Sequence, residues 1–546
     1  MQLWIDNLPV EVDDDATILA AARRLGIDLP AMCFLDGHPA NTSCMCCLVR
    51  IDGRQGYVPS CATKVQAGMH VESETTAVHN LRRTGIELLL ADHAGDCHAP
   101  CQNTCPAKMD IPNMLRQVTD GEYSAALATV KRDIALPAIL GRVCPEVCEQ
   151  ACRRGQHDSP AAICKIKRFV ADRDLASETP YRPPLAPETG KRVAVVGSGP
   201  TGLTAVYHLR QCGHRCTLID SLNVPGGRLT HEFPDELPPE VLAAESNTVL
   251  SLEVDCRFAQ DVSNKAALDG LVDDYDAVLL ATGRTAIPWL NDAGIVTTKS
   301  GMRVDADTRM TSREGVFAAG NAVRPYKLVV QSVAEGKLAA ECIDCWLRGK
   351  RPPDRRKAYE TRLARLTQQE LCDYCEGIVP SPRVDSRSLG FDAVEEGAYE
   401  QGAFDRPSEP VAVEQEARDR AARDQAAQAE AARCLECDCR ALASCLLHHY
   451  AAMYDCDAHR FRGEGRRYEG QLVGEKVTLE LGKCILCGIC VQLADEAPDA
   501  AGIAVIHRGI DTRIGPPPGK TIDEALGTAA ATCAESCPTG AIILTD

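Results

Sequence analysis

Aromatic side chains make up only 4% of the 546 residues, so the stacking platforms that bind bases or sugars have little to work with. Positive charge is also short. Lys plus Arg is 59 against 77 Asp plus Glu, a formal net charge of −18, which repels nucleic-acid backbones and anionic membrane surfaces. Long apolar runs are missing, since no stretch approaches the 18 or more apolar residues of a membrane span. The N-terminus MQLWIDNLPV lacks a basic region followed by an apolar core, so no export signal is read and a cytoplasmic location is expected. What the chain has in excess is cysteine, 29 residues or about one in nineteen. Disulfide scaffolds reach such densities in short exported chains, whereas 546 residues suffice for about three to five domains with cores of their own. Reduced thiols at short spacings point instead to metal, with zinc and iron–sulfur as the candidates.

The first unit is expected over residues 1–81. Leu3 and Ile5, then Val10 and Val12, alternate around Asn7 as in a hairpin, and a helix from Thr17 to Leu25 is closed by Gly26. Cys33, Cys44, Cys47 and Cys61 follow as C-x10-C-x2-C-x13-C, four thiolates being the ligand count of a [2Fe–2S] cluster, with structural zinc as the alternative. With TILAAARRLGIDLP before Cys33 and GMHVES after Cys61, this segment resembles the N-terminal domain of the large iron–sulfur subunit of NADH dehydrogenase (complex I) and of iron-only hydrogenases. Cys46 stands where those families carry Arg.

Residues 82–190 contain two triplets spaced by three residues, Cys97, Cys101, Cys105 and Cys144, Cys148, Cys152, in LLLADHAGDCHAPCQNTCPAKMDIP and GRVCPEVCEQACRR. The segment resembles the double [4Fe–4S] domain of the glutamate synthase small subunit and dihydropyrimidine dehydrogenase. That resemblance implies one cluster on Cys97, Cys101 and Cys152 and another on Cys105, Cys144 and Cys148. A fourth ligand is wanted for each. His93 begins an H-x3-C run similar to that of a His-ligated cluster in complex I, and Cys164 is the nearest candidate for the second.

Over residues 191–350, KRVAVVGSGPTGLTAVYHLRQCGHRCTLID reads as strand, glycine turn, helix and a second strand ending in an acid. Gly197, Gly199 and Gly202, with Pro200 and Thr201, would bring the helix N-terminus to a pyrophosphate. Asp220, eighteen residues after Gly202, is placed for ribose hydroxyls. PGGRL (Gly226, Gly227, Arg228), LLATGR (Thr282, Gly283) and GVFAAGNAV (Gly320, Asn321) complete a resemblance to the FAD domain of the glutamate synthase small subunit and the disulfide reductase-like flavoproteins. Asn321 replaces the usual Asp. In pyridine-nucleotide relatives a second Rossmann domain, on the order of 100 residues, lies between the last two elements. Here Gly283 and Gly315 are about thirty residues apart and no second G-x-G-x-x-G occurs, so an NAD(P)H site is not expected.

Residues 351–433 are read as linker and solvated helical spacer, from the Glu, Ala, Arg and Gln run after Val411. The last unit, 434–546, opens with Cys434, Cys437, Cys439 and Cys445, read as one further [4Fe–4S] site with zinc as the alternative. It closes with Cys484, Cys487, Cys490 and a remote Cys537-Pro, a strong ferredoxin signal. The segment resembles a single-cluster region of the complex I iron–sulfur subunit.

The expected fold is therefore a multidomain α/β and α+β chain: a β-grasp [2Fe–2S] ferredoxin domain, an α-helical double-cluster domain, a Rossmann-like FAD domain lacking the NAD(P)H domain, and a C-terminal ferredoxin-like domain. The expected cofactors are FAD, one [2Fe–2S] and about four [4Fe–4S] clusters. The expected function is an electron-transfer subunit serving other subunits of a redox complex, of NADH dehydrogenase-like flavoprotein, formate dehydrogenase or hydrogenase type, with ferredoxin as a further partner. A self-contained flavin oxidoreductase and a cluster wire with a vestigial FAD domain are the alternatives. No catalytic acid, base or nucleophile is announced.

Overall fold

A computed structural model of the chain describes residues 1–283, 288–352, 360–363, 365–391, 410–461, 463, 468 and 470–545. Arg284 of the LLATGR motif lies outside them. The chain forms two compact units, neither continuous in sequence: one gathers residues 1–98, 356–378 and 438–546, the other 99–355 and 379–437. The chain leaves the first unit after His98, re-enters it over residues 356–378 and returns to it at Asp438. No described helix is long and apolar enough to cross a membrane.

The first unit begins with the expected hairpin, Gln2–Ile5 against Leu8–Glu11, turned by Asp6 and Asn7 in left-handed conformations. Its two strands belong to a five-stranded mixed sheet in which the first strand pairs in parallel with His70–Glu72, followed by Leu48–Ile51 and Val58–Pro59. The helix Ile18–Arg24 starts where Thr17 accepts a hydrogen bond from the Ala20 N–H, a side-chain cap that satisfies an otherwise orphaned donor. Ile18, Leu19, Ala21 and Ala22 bury against the sheet with Leu3, Ile5 and Val71. In the C-terminal part, Val477–Glu480 pairs with Gln471–Val473 and Ile542–Leu544. The helices Ile489–Glu496 and Ala530–Ser536 share a core with these strands.

The second unit is a parallel sheet in the order Val316–Ala318, Ala277–Leu280, Arg192–Val196, Arg215–Ile219, Asp255–Arg257. Past Arg192 and Arg215, which open two of them, its central strands are buried and, but for Thr217, apolar, as a sheet covered on both faces requires. Helices Pro200–Gln211 and Val329–Leu347 pack on it, and short helices over residues 100–175 carry Cys101, Cys105, Cys144, Cys148 and Cys152 into the same core. Ala277–Leu280 and Val316–Ala318 are hydrogen-bonded neighbours. Between them the described residues hold only a 3-10 turn, Pro288–Leu290, and a small hairpin, Thr297–Thr298 with Gly301–Met302. A second dinucleotide domain is absent among the described residues.

The helix expected as a spacer exists, Pro410–Ala431, but its end is not solvated. Residues 415–422 are exposed, whereas Ala427, Ala431, Glu430 and Arg433 are buried in the second unit. The physical reason is that its late charges are satisfied by distant groups: Glu430 accepts hydrogen bonds from the Ala162 and Val384 N–H groups and pairs with Arg433.

Candidate metal and dinucleotide sites

None of the 29 cysteines forms a disulfide, and twenty expected ligands fall into five sets. In the first unit, Cys33, Cys44, Cys47 and Cys61 are all buried. The Cys44 N–H donates to Cys33 Sγ at 3.4 Å. Cys61 is pushed up by its bond to Cys47 and by burial, with the charges of Cys47, Cys33 and Cys44 adding to it. Cys33 and Cys44 are pushed up as well, whereas Cys47 is lowered by its bond to Cys61, so ionisation is shared unevenly among four crowded thiols, and a bound cation would favour the thiolate at each of them. Cys46 is buried too, but its thiol donates to the Cys44 carbonyl at 3.1 Å.

The second set is Cys97, Cys439 and Cys445. The Cys439 N–H donates to the Cys97 carbonyl at 3.2 Å, and the Thr361 N–H donates to Cys97 Sγ at 3.4 Å. Burial, then Cys439 and Cys97, push Cys445 up to about 11. His93 joins them through Lys483, whose charge acts on both His93 and Cys439. A Cβ on Gly95 would meet both Lys483 and His93 Nε2, at 2.9 and 3.3 Å. His93 Nδ1 is buried without a hydrogen-bond partner, an unusual cost unless something else takes its lone pair.

The third set, Cys484, Cys487, Cys490 and Cys537, lines one cavity together with Cys533. Backbone N–H groups of Leu486 and Ile542 donate to Cys484 Sγ and Cys537 Sγ at 3.4 and 3.5 Å. The three sets adjoin. Asn41, from the loop before Cys44, donates to the Cys487 carbonyl at 2.9 Å, and a Cβ on Gly540 would lie 3.7 Å from Cys439 Sγ.

In the second unit, Cys101 is driven up by burial and then by Cys434, Cys437 and Cys152. Arg154, two residues from Cys152, donates to the Arg433 carbonyl beside Cys434 at 2.9 Å. The fifth set is Cys105, Cys144, Cys148 and Cys164. Cys144 is raised by its bond to Cys164, and Cys164 reaches about 12 where its bond to Cys144 opposes that to Cys148. Glu146, Glu149 and Cys164 offer ligand atoms within 4.8 Å of one another. Arg383 pairs with both carboxylates, and Glu149 accepts the Cys164 N–H at 2.9 Å. That leaves the Cys164 thiol for the cysteine set.

Two expected groupings are corrected. Cys97 does not share a set with Cys101 and Cys152, and the run Cys434, Cys437, Cys439, Cys445 is not one set. The chain changes units after His98 and after Cys437, so short spacing there joins residues of different sets. The signal in the sequence was numerical: each triplet lacked a fourth ligand, and the C-x2-C and C-x5-C pairs supply two apiece.

The glycine-rich motif forms a tight strand–turn–helix junction. Gly197, at φ 107°, lies so near Ala281 that a Cβ would come within 2.4 Å of its carbonyl oxygen. A Cβ on Gly202 would sit 1.8 Å from the Gly197 carbonyl oxygen. Helix Pro200–Gln211 therefore begins flush against the strand before it, its first N–H groups directed at the loop. Asp220 accepts from the Ser198 N–H and hydroxyl at 2.6 and 2.7 Å and from the Leu222 N–H at 2.9 Å. The acid is thus held at the glycine turn, where a ribose would meet it. Gly226 donates to the Ser198 carbonyl at 3.0 Å, carrying Gly227 and Arg228 to the same loop, and Arg228 pairs with Glu232. Gly320 packs on Thr201, and Asn321 accepts the Tyr326 N–H at 2.7 Å. Thr282 and Gly283 follow the strand Ala277–Leu280 at the same edge. These residues form the cradle a dinucleotide needs. Gly202→Ala is expected to abolish flavin retention, measured as the absorbance ratio of the purified protein near 450 and 280 nm (about tenfold or greater loss), because no side chain can be admitted without parting helix from strand.

The remaining cysteine pairs are not brought together into sets. Cys342 donates to the Asp307 carbonyl at 3.4 Å, Cys375 is buried and Cys372 exposed.

Four known families match parts of the chain. Residues 1–76 match a 2Fe-2S iron-sulfur cluster binding domain, 88–179 the dihydropyrimidine dehydrogenase domain II 4Fe-4S cluster domain, 159–336 a pyridine nucleotide-disulphide oxidoreductase domain, and 477–544 a 4Fe-4S single cluster domain. Among curated relatives, the NADP(+)-dependent formate dehydrogenase subunit beta of Moorella thermoacetica is 38% identical over 218 residues, 36% of this chain and 31% of that one. The NADPH-Fe(3+) oxidoreductase subunit beta of Geobacter sulfurreducens is 32% identical over 34% of this chain and 28% of its own length. The glutamate synthase [NADPH] small chain of Escherichia coli is 32% identical over 35% of this chain and 42% of its own length. The chain thus spans between about a quarter and a half of these relatives. It combines a 2Fe-2S domain, 4Fe-4S domains and a pyridine nucleotide-disulphide oxidoreductase domain, and its homologues are glutamate synthase small-subunit-like proteins and formate dehydrogenase beta subunits.

Proposed function

We propose that the chain is an iron–sulfur flavoprotein that passes electrons between FAD and a series of clusters as a cytoplasmic subunit of a larger oxidoreductase of formate dehydrogenase, hydrogenase or NAD-reducing type. The observation that carries this reading is the gathering of the candidate cysteines in one chain with a dinucleotide-type sheet whose strands Ala277–Leu280 and Val316–Ala318 are hydrogen-bonded neighbours, with no second nucleotide domain between them among the described residues. In this reading the first sheet is a β-grasp frame for a [2Fe–2S] cluster on Cys33, Cys44, Cys47 and Cys61. [4Fe–4S] clusters are held by His93, Cys97, Cys439 and Cys445; by Cys484, Cys487, Cys490 and Cys537; by Cys101, Cys152, Cys434 and Cys437; and by Cys105, Cys144, Cys148 and Cys164. When bound, FAD supplies the conversion between electron pairs and the single electrons that clusters carry.

The protein's own residues place and insulate. The Gly197–Gly202 turn and the helix N-terminus take the pyrophosphate, and Asp220 takes the ribose. Backbone N–H groups directed at Cys33, Cys97, Cys484 and Cys537 stabilise negative sulfur. Buried apolar side chains around each set exclude water.

Anaerobically purified protein is expected to carry FAD and about 18 iron atoms, two for the smaller cluster and four for each of the others. Its flavin should be bleached by dithionite and not by NADH or NADPH alone. Rapid bleaching by NADPH would overturn the reading.

A further inference from the structure

We propose that Lys167 sets the reduction potential of the cluster held by Cys105, Cys144, Cys148 and Cys164, its fixed positive charge raising that potential. The inference rests on the reading that these four cysteines hold a [4Fe–4S] cluster.

Lys167 lies three residues after Cys164 on helix Ile163–Leu175, one turn along the same face. The residue is 3% exposed. Its ammonium donates to the Leu140 carbonyl at 3.3 Å and to Cys164 Sγ at 3.7 Å. Among the described residues it has no carboxylate at ion-pair distance. An ammonium taken out of water without a counter-anion is costly, so its compensation must come from the sulfurs it faces.

The first unit provides a contrast. Lys483 is also buried and lies beside Cys439, but its ammonium is paired with Glu480 at 2.7 Å. Its charge is largely offset. Lys167 keeps the whole of its charge for the cysteine set.

A cubane on four thiolates becomes one unit more negative on taking up an electron, with no bond made or broken in the protein. A cation fixed at contact distance in a poorly screened interior stabilises that state more than the oxidised one. Lysine stem volume alone does nothing of the kind, and methionine keeps most of that volume without the charge.

The test is a potentiometric titration of the full-length, anaerobically purified protein, monitored by electron paramagnetic resonance, for parent, Lys167→Met, Lys167→Gln and Lys167→Arg. At a fixed potential, the reduced-to-oxidised ratio of this cluster is expected to fall at least tenfold in the Met and Gln variants, about 59 mV for a one-electron couple. Arg should restore it, and the [2Fe–2S] signal should not move. Met and Gln variants that keep their iron and titrate within twofold of the parent would overturn the proposal. So would loss of the cluster's iron in both, which would make Lys167 a structural residue. A Cys164→Ser control separates the two levels: unchanged iron and unchanged spectra there would remove the cluster reading itself.

Discussion

Serine at Cys439 is expected to remove one cubane from the first unit, lowering iron from about 18 to about 14 atoms per chain, and serine at Cys434 is expected to remove a different one from the second. The double variant should therefore fall to about 10. Had Cys434, Cys437, Cys439 and Cys445 formed a single set, either change would already have emptied it, and the double variant would stay near 14. The two singles should also differ in kind. Cys439 shares its set with Cys97, and Lys483 acts on both Cys439 and His93, so the Cys439 variant should lose the signal that a His93→Cys change also perturbs. Cys434 shares its set with Cys101 and Cys152, and the His93 change should leave the Cys434-dependent signal alone. Iron analysis and low-temperature spectra of the four proteins decide the matter, and a double variant no poorer in iron than the singles would sink the regrouping.

How far such sets are legible in a sequence depends on the separation of their members. The hairpin Gln2–Ile5 and Leu8–Glu11 is encoded by alternation over ten residues, and helix Ile18–Arg24 by its Thr17 cap and by Gly26. The dinucleotide cradle is equally local. Gly197, Gly202 and Asp220 lie within one strand–helix–strand unit, and their placement around one turn is written in their spacing. The first and third cysteine sets are compact enough to be read directly. The set of Cys105, Cys144, Cys148 and Cys164 is grouped through the family resemblance, whereas the sets that join Cys97 to Cys439 and Cys152 to Cys434 are not. Cys152 and Cys434 are separated by 282 positions (434 − 152) and Cys97 and Cys439 by 342 (439 − 97). Nothing in local pattern says that the chain leaves one unit and returns to it. Spacing marks which cysteines are candidate ligands while concealing which of them the fold brings together.

The helix Pro410–Ala431 shows the same limit from the side of charge, and Glu430→Ala is expected to be among the most destabilising single changes in the second unit. Its composition reads as solvated, yet Glu430 is 2% exposed. The Ala162 and Val384 N–H groups donate to its carboxylate at 2.7 Å each, and Arg433 pairs with it at 2.8 Å. Arg433 reaches on to Asp158, the Ser159 hydroxyl and the Pro160 carbonyl, and Arg154 binds Asp158 as well. The hub thus ties the C-terminal arm bearing Cys434 to the loop after Cys152. Removing the Glu430 carboxylate leaves the Ala162 and Val384 N–H groups buried without an acceptor and takes from the buried Arg433 one of its two carboxylate partners, Asp158 being the other, a loss of about 3–5 kcal/mol. Urea unfolding should report it, together with loss of the Cys101, Cys152, Cys434 and Cys437 iron. A change below about 0.5 kcal/mol, the usual range for a surface site, would restore the spacer reading. Acid should act on the same hub. Arg154, then the Ser159 and Ser381 N–H groups, hold the Asp158 carboxyl well below the usual carboxylate range. A depressed carboxyl stabilises the folded state fully above its unfolded pKa, near 4, and loses that contribution as pH falls toward the folded value. Stability of the second unit should therefore drop below pH 4, and Asp158→Asn, already weakened at neutral pH, should lose less over that interval. An equal acid response in both proteins would show that the hub does not govern it, since no proton would then be taken up at Asp158.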